Sequence, residues 1–436
     1  MSGLWARIRT NYDTWVMLAF GGFSLLYIYF ASTNLGLLVF LWGLFCVAHL
    51  RSFRGFVPVA SISGMLLLYG FFRSDFVAMI IHGMGVAQAY AASTRYFQAP
   101  MVIWFAAWAM VFGFRDLPED GTGRLINLLT WGILVLSVIQ IMDGLSGFAL
   151  RAGFNDLFHH GHRPEMLVVR TSNANTVLLM LFWPLGYYHM RRGNWARIAF
   201  MLASLIITAI AVDTNSQILA LIVGGVVFAA ARFWPAGWGA RGVTPERVMA
   251  VLTSLTVLGF PPFFRWLMDS GLAYRIKTEL LRSWADRIDI WSFAVARGSE
   301  KPWFGWGYEA SRQFDPHIPN HPHSLSLQAW LELGVPGLIL LAALWFCIFW
   351  FMAPGTAIAR AEPEGLRDID APVVIPAGLD AQLARPWFLA AAAGYLAINM
   401  VSFGLWRMWY YCLGALAVGV ALLAVKAASQ RAKLQN

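Results

Sequence analysis

Long apolar runs separated by short polar joints dominate the chain. They fall at 12–31, 34–50, 56–72, 76–93, 99–114, 124–143, 173–189, 195–211, 217–231, 247–266, 324–352, 386–402 and 404–425. Each approaches the roughly 20 residues that cross a hydrocarbon core as a helix, so the pattern predicts thirteen candidate spans. One stretch breaks the pattern. Between Ile276 and Val295 the apolar residues Leu280, Leu281, Trp284, Ile288, Trp291 and Val295 recur every three or four positions, with Arg275, Glu279, Arg282, Asp286 and Asp289 opposite. That spacing predicts one amphipathic helix, and tryptophans on its apolar side place it in the membrane interface.

Composition excludes a soluble protein. The 436 residues are 59% hydrophobic and 13% charged, where soluble domains carry about 25% charged residues. No polar stretch is long enough for a separate domain, so residues 1–436 are expected to form a single transmembrane domain. The net charge of +9 is read as lysine and arginine edging the cytoplasmic face, and not as a nucleic-acid surface. Cys46, Cys347 and Cys412 all lie in apolar runs, which disfavours a disulfide or cysteine–metal framework. The opening MSGLWARIRTNYD has no small-residue cleavage site after an apolar core, so no removed leader is expected.

Arginine and lysine set the topology. MRRGNWAR at 190–197, Arg232, Arg241, Arg247, the 353–385 loop and the C-terminal tail are expected inside, which leaves 144–172, 212–216 and 265–323 outside. Six candidates before residue 144 would put the N-terminus outside, yet Arg7 and Arg9 favour the inside. One N-terminal candidate is therefore expected not to cross, leaving about twelve helices. No internal repeat is visible, and only His82 and Glu332 are ionisable at mid-depth, which weighs against a transporter. His82 is read as a packing histidine, and 353–385 as a linker without chemistry.

The outside segments hold the candidate chemistry. His317, His321 and His323, with Pro319 and Pro322 between them, lead to Ser324, which can cap the helix that follows. His323 would stand at the positive end of that helix dipole, which disfavours imidazolium and keeps the ring able to accept a proton. His321 precedes a proline, is biased to extended backbone, and is expected to point elsewhere. His159, His160 and His162 suggest a metal only weakly, since no cysteine or spaced acid joins them. Gly144-Leu-Ser-Gly147 superficially matches an intramembrane-protease motif but opens a polar loop, where chance is the better account. Arginines 170, 275, 282 and 287 are either solvated ion pairs or anion ligands.

Several of these stretches resemble the bacterial O-antigen ligase and polysaccharide polymerase family. His323-Ser-Leu-Ser-Leu-Gln followed by Glu332-Leu-Gly334 and Gly337 resembles its H-N-x-x-L … E-x-G-x-x-G signature, with Ser324 in place of the usual Asn. Asn173-Ala-Asn175 at the start of a span resembles its N-P-N stretch, with Ala174 replacing Pro; a plain helix cap explains the same residues. At the turn Asp213–Gln217 the family carries an Arg where this chain has Gln217. Arg287 and Trp291, then Pro302, Gly305 and Gly307, resemble the helix and G-x-G turn that precede the family histidine.

The resemblance covers about residues 165–340 and implies a GT-C-like helical glycosyltransferase of the bacterial inner membrane, working on its periplasmic side. Residues 144–172 and 265–323 would be periplasmic loops, the second of them catalytic. The implied donor is a glycan on undecaprenyl diphosphate, and the acceptor a sugar hydroxyl on lipid A–core (a ligase) or on another glycan (a polymerase). His323 would be the base. Arg287, Arg282, Arg275, Arg170, Asn175, Gln217 and His321 would bind diphosphate or glycan, with Gly305, Gly307, Glu332 and Gly334 structural. No metal or cofactor is implied, because arginine can hold a diphosphate leaving group, and direct attack would invert the anomeric centre. Glu332 lies nine residues along the helix, about 13 Å from His323, and is expected to pair within the bundle. A flippase for the same lipids is the alternative of another class, and would need no catalytic histidine.

Overall fold

The computed structural model describes residues 35–46, 57–92, 98–117, 119–158, 164–352 and 379–435. The apolar run 12–31, Arg7 and Arg9, His159, His160 and His162, and most of the 353–385 loop lie outside them. Among the described residues the regular structure is helical throughout. In order the helices are α1 (Leu35–Cys46), α2 (Val57–Phe72), α3 (Asp75–Ile81), α4 (Val86–Ala92), α5 (Gln98–Asp116), α6 (Glu119–Leu145), α7 (Ala149–Phe158), α8 (Pro164–Arg191) and α9 (Trp195–Ala211). There follow α10 (Asn215–Arg232), α11 (Ala236–Ala240), α12 (Pro245–Asp269), α13 (Leu272–Glu279), α14 (Arg282–Glu300), α15 (Leu325–Trp350), α16 (Leu379–Val401) and α17 (Met408–Gln435).

Six of these, α6, α8, α10, α12, α15 and α17, are long and apolar enough to cross a membrane, and the pair α2–α3, bent by 52°, would make a seventh. The chain is a polytopic α-helical membrane protein, but the described residues do not reach the expected twelve spans. The candidate 76–93 is not a span: it divides into α3 and α4, two helices of seven residues. Ser74 caps α3 by accepting from the Val77 amide at 3.4 Å. His82 is the exposed residue that ends α3, not a packing histidine; apolar neighbours in sequence did not make its surroundings apolar in space.

Two cores share α16. One joins α16 to α1, α5, α6, α8, α9 and α17 through residues such as Trp183, Tyr187, Trp387 and Leu413. The other joins α16 to α12 and α15 through Val257, Leu341, Trp345 and Leu389. Between them, α2, α5, α8, α15, α16 and α17 line an apolar, partly open cavity of about 320 Å³. Its lining includes Leu405, Trp406 and Met408 as well as Phe351 and Met352.

Helix α15 organises the site end. Ser324 caps it by accepting from the Leu327 amide. The helix is interrupted at Gly334, whose φ of 68° is non-helical, and Pro336 lies just beyond. Proline has no N–H, so the Glu332 carbonyl four residues earlier lacks its usual donor. The segment 302–307 supplies what the interruption frees. Gly307 N–H donates to the Glu332 carbonyl at 2.8 Å, Trp306 N–H to that of Leu331 at 2.9 Å, and Val335 N–H to that of Pro302 at 2.9 Å. Only glycine fits the closest approaches: an added Cβ at Gly305 would lie 2.4 Å from the Glu332 backbone, and one at Gly334 would lie 2.5 Å from the Trp303 carbonyl.

The predicted 276–295 helix is corrected in two respects. Leu280 and Leu281 are extended, so the stretch is two helices, α13 and α14. The later part of the α14 stripe packs on protein: Ile288, Trp291 and Val295 are buried, and Trp291 meets Phe260 and Phe264 of α12 edge-on, each at 5.4 Å, while Trp284 stays half-buried. Periodicity reports that one face is apolar; it does not say whether lipid or protein covers it.

Candidate active site

Four segments converge on the two histidines before α15. The first is their own loop. Trp291 donates its indole N–H to the Pro322 carbonyl at 2.8 Å and fixes the approach. His323 has a φ of 54°, unusual for a residue with a side chain. Its ring is half-buried, with Nδ1 3.0 Å from the Ser402 carbonyl. A carbonyl only accepts, so Nδ1 carries the hydrogen and the lone pair of the neutral ring sits on Nε2. His321 is buried, its ring centroid 4.3 Å from that of His323, and its Nδ1 accepts the His323 amide at 3.1 Å. Contrary to the expectation from Pro322, it does not point elsewhere.

The second segment is α14, which presents Arg287. One guanidinium nitrogen donates to the Ser283 carbonyl at 2.9 Å, and the group lies 4.9 Å above the Trp284 ring. Its Nε is buried without a partner. The third is the turn 402–407 between α16 and α17. Arg407 there is half-buried, and its guanidinium makes no hydrogen bond or ion pair with the described residues. Gln328 of α15 holds the turn by accepting the Leu405 amide at 2.6 Å. The fourth is the loop 308–314. Arg312 pairs with Glu309 at 2.7 Å, and Tyr308 packs on Trp406 with centroids 4.8 Å apart.

Glu332 ties the last two segments to α15. Its fully buried carboxylate accepts from the Glu309 amide, from the amide and hydroxyl of Ser311, from Gln328 and from the Trp406 indole. Each carboxylate oxygen is thus satisfied within the protein, as a buried carboxylate requires.

The electrostatics favour an anion beside a neutral base. Burial lowers the pKa of His323, and Arg287 and Arg407 lower it further, against the hydrogen bond to Ser402. His321 is lowered more, first by burial, then by His323, Arg407 and Arg312. Burial also disfavours the charge on Arg287 and Arg407, and Arg312 adds repulsion at Arg407. Arg287 and Arg407 thus act on His323, and Arg407 and Arg312 on His321, while Asp286 offsets the charge of Arg287 and Glu309 that of Arg407.

The other sequence candidates lie elsewhere. Arg282 and Arg275 are exposed on α14 and α13, and Arg170 is half-buried on α8. Asn175 and Gln217 are buried together: Gln217 accepts from the Asn175 amide at 2.7 Å and the Thr214 hydroxyl at 2.8 Å, and donates to Ser172 and to Thr176. Its amide is spent on fastening α8 to the start of α10, which leaves nothing to offer a phosphate. His317 stacks on Phe293 at 4.5 Å. Among the described residues no group of three or more His, Cys, Asp or Glu could hold a metal ion.

Arg407 and Arg312 were not found from sequence. Arg407 did carry a signal, as the single charged residue between Arg385 and Lys426, in the joint between two apolar runs. Arg312 carried none beyond its presence in a charged loop.

Comparison with known proteins points to one family. Residues 166–342 match the family model described as O-Antigen ligase. A Rickettsia felis protein provisionally named polysaccharide ligase is 24% identical over 387 residues, 79% of this chain and 86% of the relative. A similarly named Rickettsia conorii protein is 25% identical over 49% of this chain, and the match spans about half, 48%, of that relative. No solved structure matches.

Proposed function

Residues 166–342 match the O-antigen ligase family model, and we propose that the chain is a member that transfers a glycan from undecaprenyl diphosphate to a sugar hydroxyl of lipid A–core. The scaffold would be GT-C-like, in the bacterial inner membrane, with His323 facing the periplasm. His323 Nε2 accepts the proton of the acceptor hydroxyl while that oxygen attacks the anomeric carbon. The bond from that carbon to the diphosphate oxygen breaks, and the electron pair leaves with the diphosphate. Attack from the opposite face inverts the centre. A positioned base of this kind contributes about 10²–10⁴-fold.

Arg287 and Arg407 hold the leaving diphosphate. Both guanidiniums have donors left over and flank the base, and planar guanidinium suits phosphate oxygens. This reading gives the diphosphate to Arg287 and Arg407 in preference to Arg170, Arg275, Arg282 and Gln217. Charge held by arginine calls for no metal. The apolar cavity beside Leu405, Trp406 and Met408 lies next to Arg407 and suits an isoprenoid tail.

The observation that carries the proposal is the His323 ring, with Nδ1 committed to Ser402, the lone pair left on Nε2, and Arg287 and Arg407 near enough to lower its pKa. A deletion strain tests it. Full-length polymer accumulating on the lipid carrier supports a ligase; a single repeat unit on carrier or core means a polymerase instead. Normal transfer across the membrane and normal product would remove the enzyme from this step.

A further inference from the structure

His323 adopts a backbone conformation that residues with a Cβ rarely take, and such a conformation persists only where surrounding contacts impose it. The contact that imposes it comes from two residues earlier. The His323 N–H donates to Nδ1 of His321 at 3.1 Å. A side-chain acceptor bonded to the backbone N–H two residues on is the geometry of an Asx turn, with imidazole Nδ1 standing where an asparagine carbonyl oxygen would be.

We propose that His321 is a positioning residue whose Nδ1 closes this turn and so aims the His323 ring at Ser402. The proposal rests on His323 being the base and adds how the base is held. The surroundings hold the His321 ring for this purpose. Pro322 restricts the His321 backbone, and Trp291 grips the Pro322 carbonyl. Gly404 closes on the ring from the neighbouring turn: an added Cβ there would lie 2.8 Å from the His321 Cγ. Because Nδ1 accepts the amide hydrogen, the ring proton of neutral His321 sits on Nε2, and Nδ1 is not available to take a substrate proton. The sequence His-Pro-His is thus a turn that presents its second histidine.

Three substitutions at His321 test this in the full chain, reconstituted with lipid-linked donor and acceptor. His321→Ala is expected to lower kcat by about 10²-fold, the effect of a reacting group displaced by about 1 Å, with donor KM near wild type. His321→Asn places an acceptor oxygen at nearly the same point and is expected to restore kcat to within about tenfold of wild type. His321→Gln is one methylene longer, cannot close a two-residue turn, and should stay near the alanine variant. Where His321→Ala fails to fold, the comparison of Asn with Gln decides. Wild-type kcat in His321→Ala, or equal activity of the Asn and Gln variants, overturns the proposal. So does His321→Asn as inactive as His321→Ala, which would assign the ring its own chemistry. A fully active His323→Ala would instead remove the base, and is recognised separately.

Discussion

The buried carboxylate of Glu332 accepts a hydrogen bond from the indole of Trp406, 74 residues further along the chain. That bond joins the helix whose start carries His323 to the turn that carries Arg407. Glu332 sits too far along α15 to touch His323 itself. Its effect is to place the arginine that faces the base, and through Ser311 and Glu309 to place the loop of Arg312 as well.

The base should be separable from its neighbours. His323→Ala is expected to reduce transfer by about 10²–10⁴-fold while donor binding survives. His317→Ala, which loses only a stack on Phe293, should cost far less. Since the His323 pKa is lowered from 6.5, wild-type activity should be flat around neutrality and fall only as pH drops below that lowered value. Steady-state rates against pH check this; a midpoint above 6.5 would count against His323.

Arg407 should matter to the donor more than its place in an apolar turn suggests. Arg407→Ala is expected to weaken lipid-diphosphate binding by about 1.5–3 kcal/mol, the worth of hydrogen bonds to a charged group. Arg407→Lys should recover part of it, since lysine keeps the charge but not the planar fork. Binding of donor to the two variants in nanodiscs gives the comparison.

Gln217→Arg tests the family residue at this turn. The side chain is buried and its amide engages Ser172, Asn175, Thr176 and Thr214. A guanidinium cannot accept the two bonds that the Gln217 oxygen accepts, and each buried donor left unpaired costs about 1–3 kcal/mol. Reduced thermal stability is expected, with no gain in donor affinity. Tighter donor binding at unchanged stability would return Gln217 to the phosphate site.

Gly334→Ala should damage the loop and not the helix. At φ 68° and with the Trp303 carbonyl 2.5 Å from a new Cβ, alanine must displace the 302–307 segment. A loss of several kcal/mol is expected from strain and lost hydrogen bonds together. Protease sensitivity near Trp303 would report it, and an unaltered digestion pattern would contradict the docking described.

Acid should destabilise the site end. His321 and His323 are held neutral when folded, with pKa values below the ordinary 6.5. The unfolded chain therefore binds more protons below pH 6.5, and their contribution to stability is present above that value and lost as pH falls below it. Each contributes a slope of up to about 1.4 kcal/mol per pH unit in that window. Melting of wild type against a His321→Asn variant between pH 7 and 5 would show the difference.

The sequence by itself determined that the chain is helical and embedded, because burying apolar runs of this length leaves the backbone no other way to satisfy its hydrogen bonds. It also marked His323 and the cap at Ser324, whose reasons are local, a helix start and its dipole; glycines 305, 307 and 334 were legible only through the resemblance, because their reason is the close approach of the 302–307 segment to α15 and to Arg73. Tertiary structure alone decided the rest. Arg407, which acts on the charge of His323, is more than eighty positions away, and no periodicity encodes a proximity of that separation. Gln217 sits where a phosphate ligand was expected, but its neighbours on α8 consume its amide. The part of the α14 stripe formed by Ile288, Trp291 and Val295 is covered by protein, since an apolar face is equally stable against protein or lipid. Hydropathy fixes which surfaces avoid water; packing chooses which of them meet.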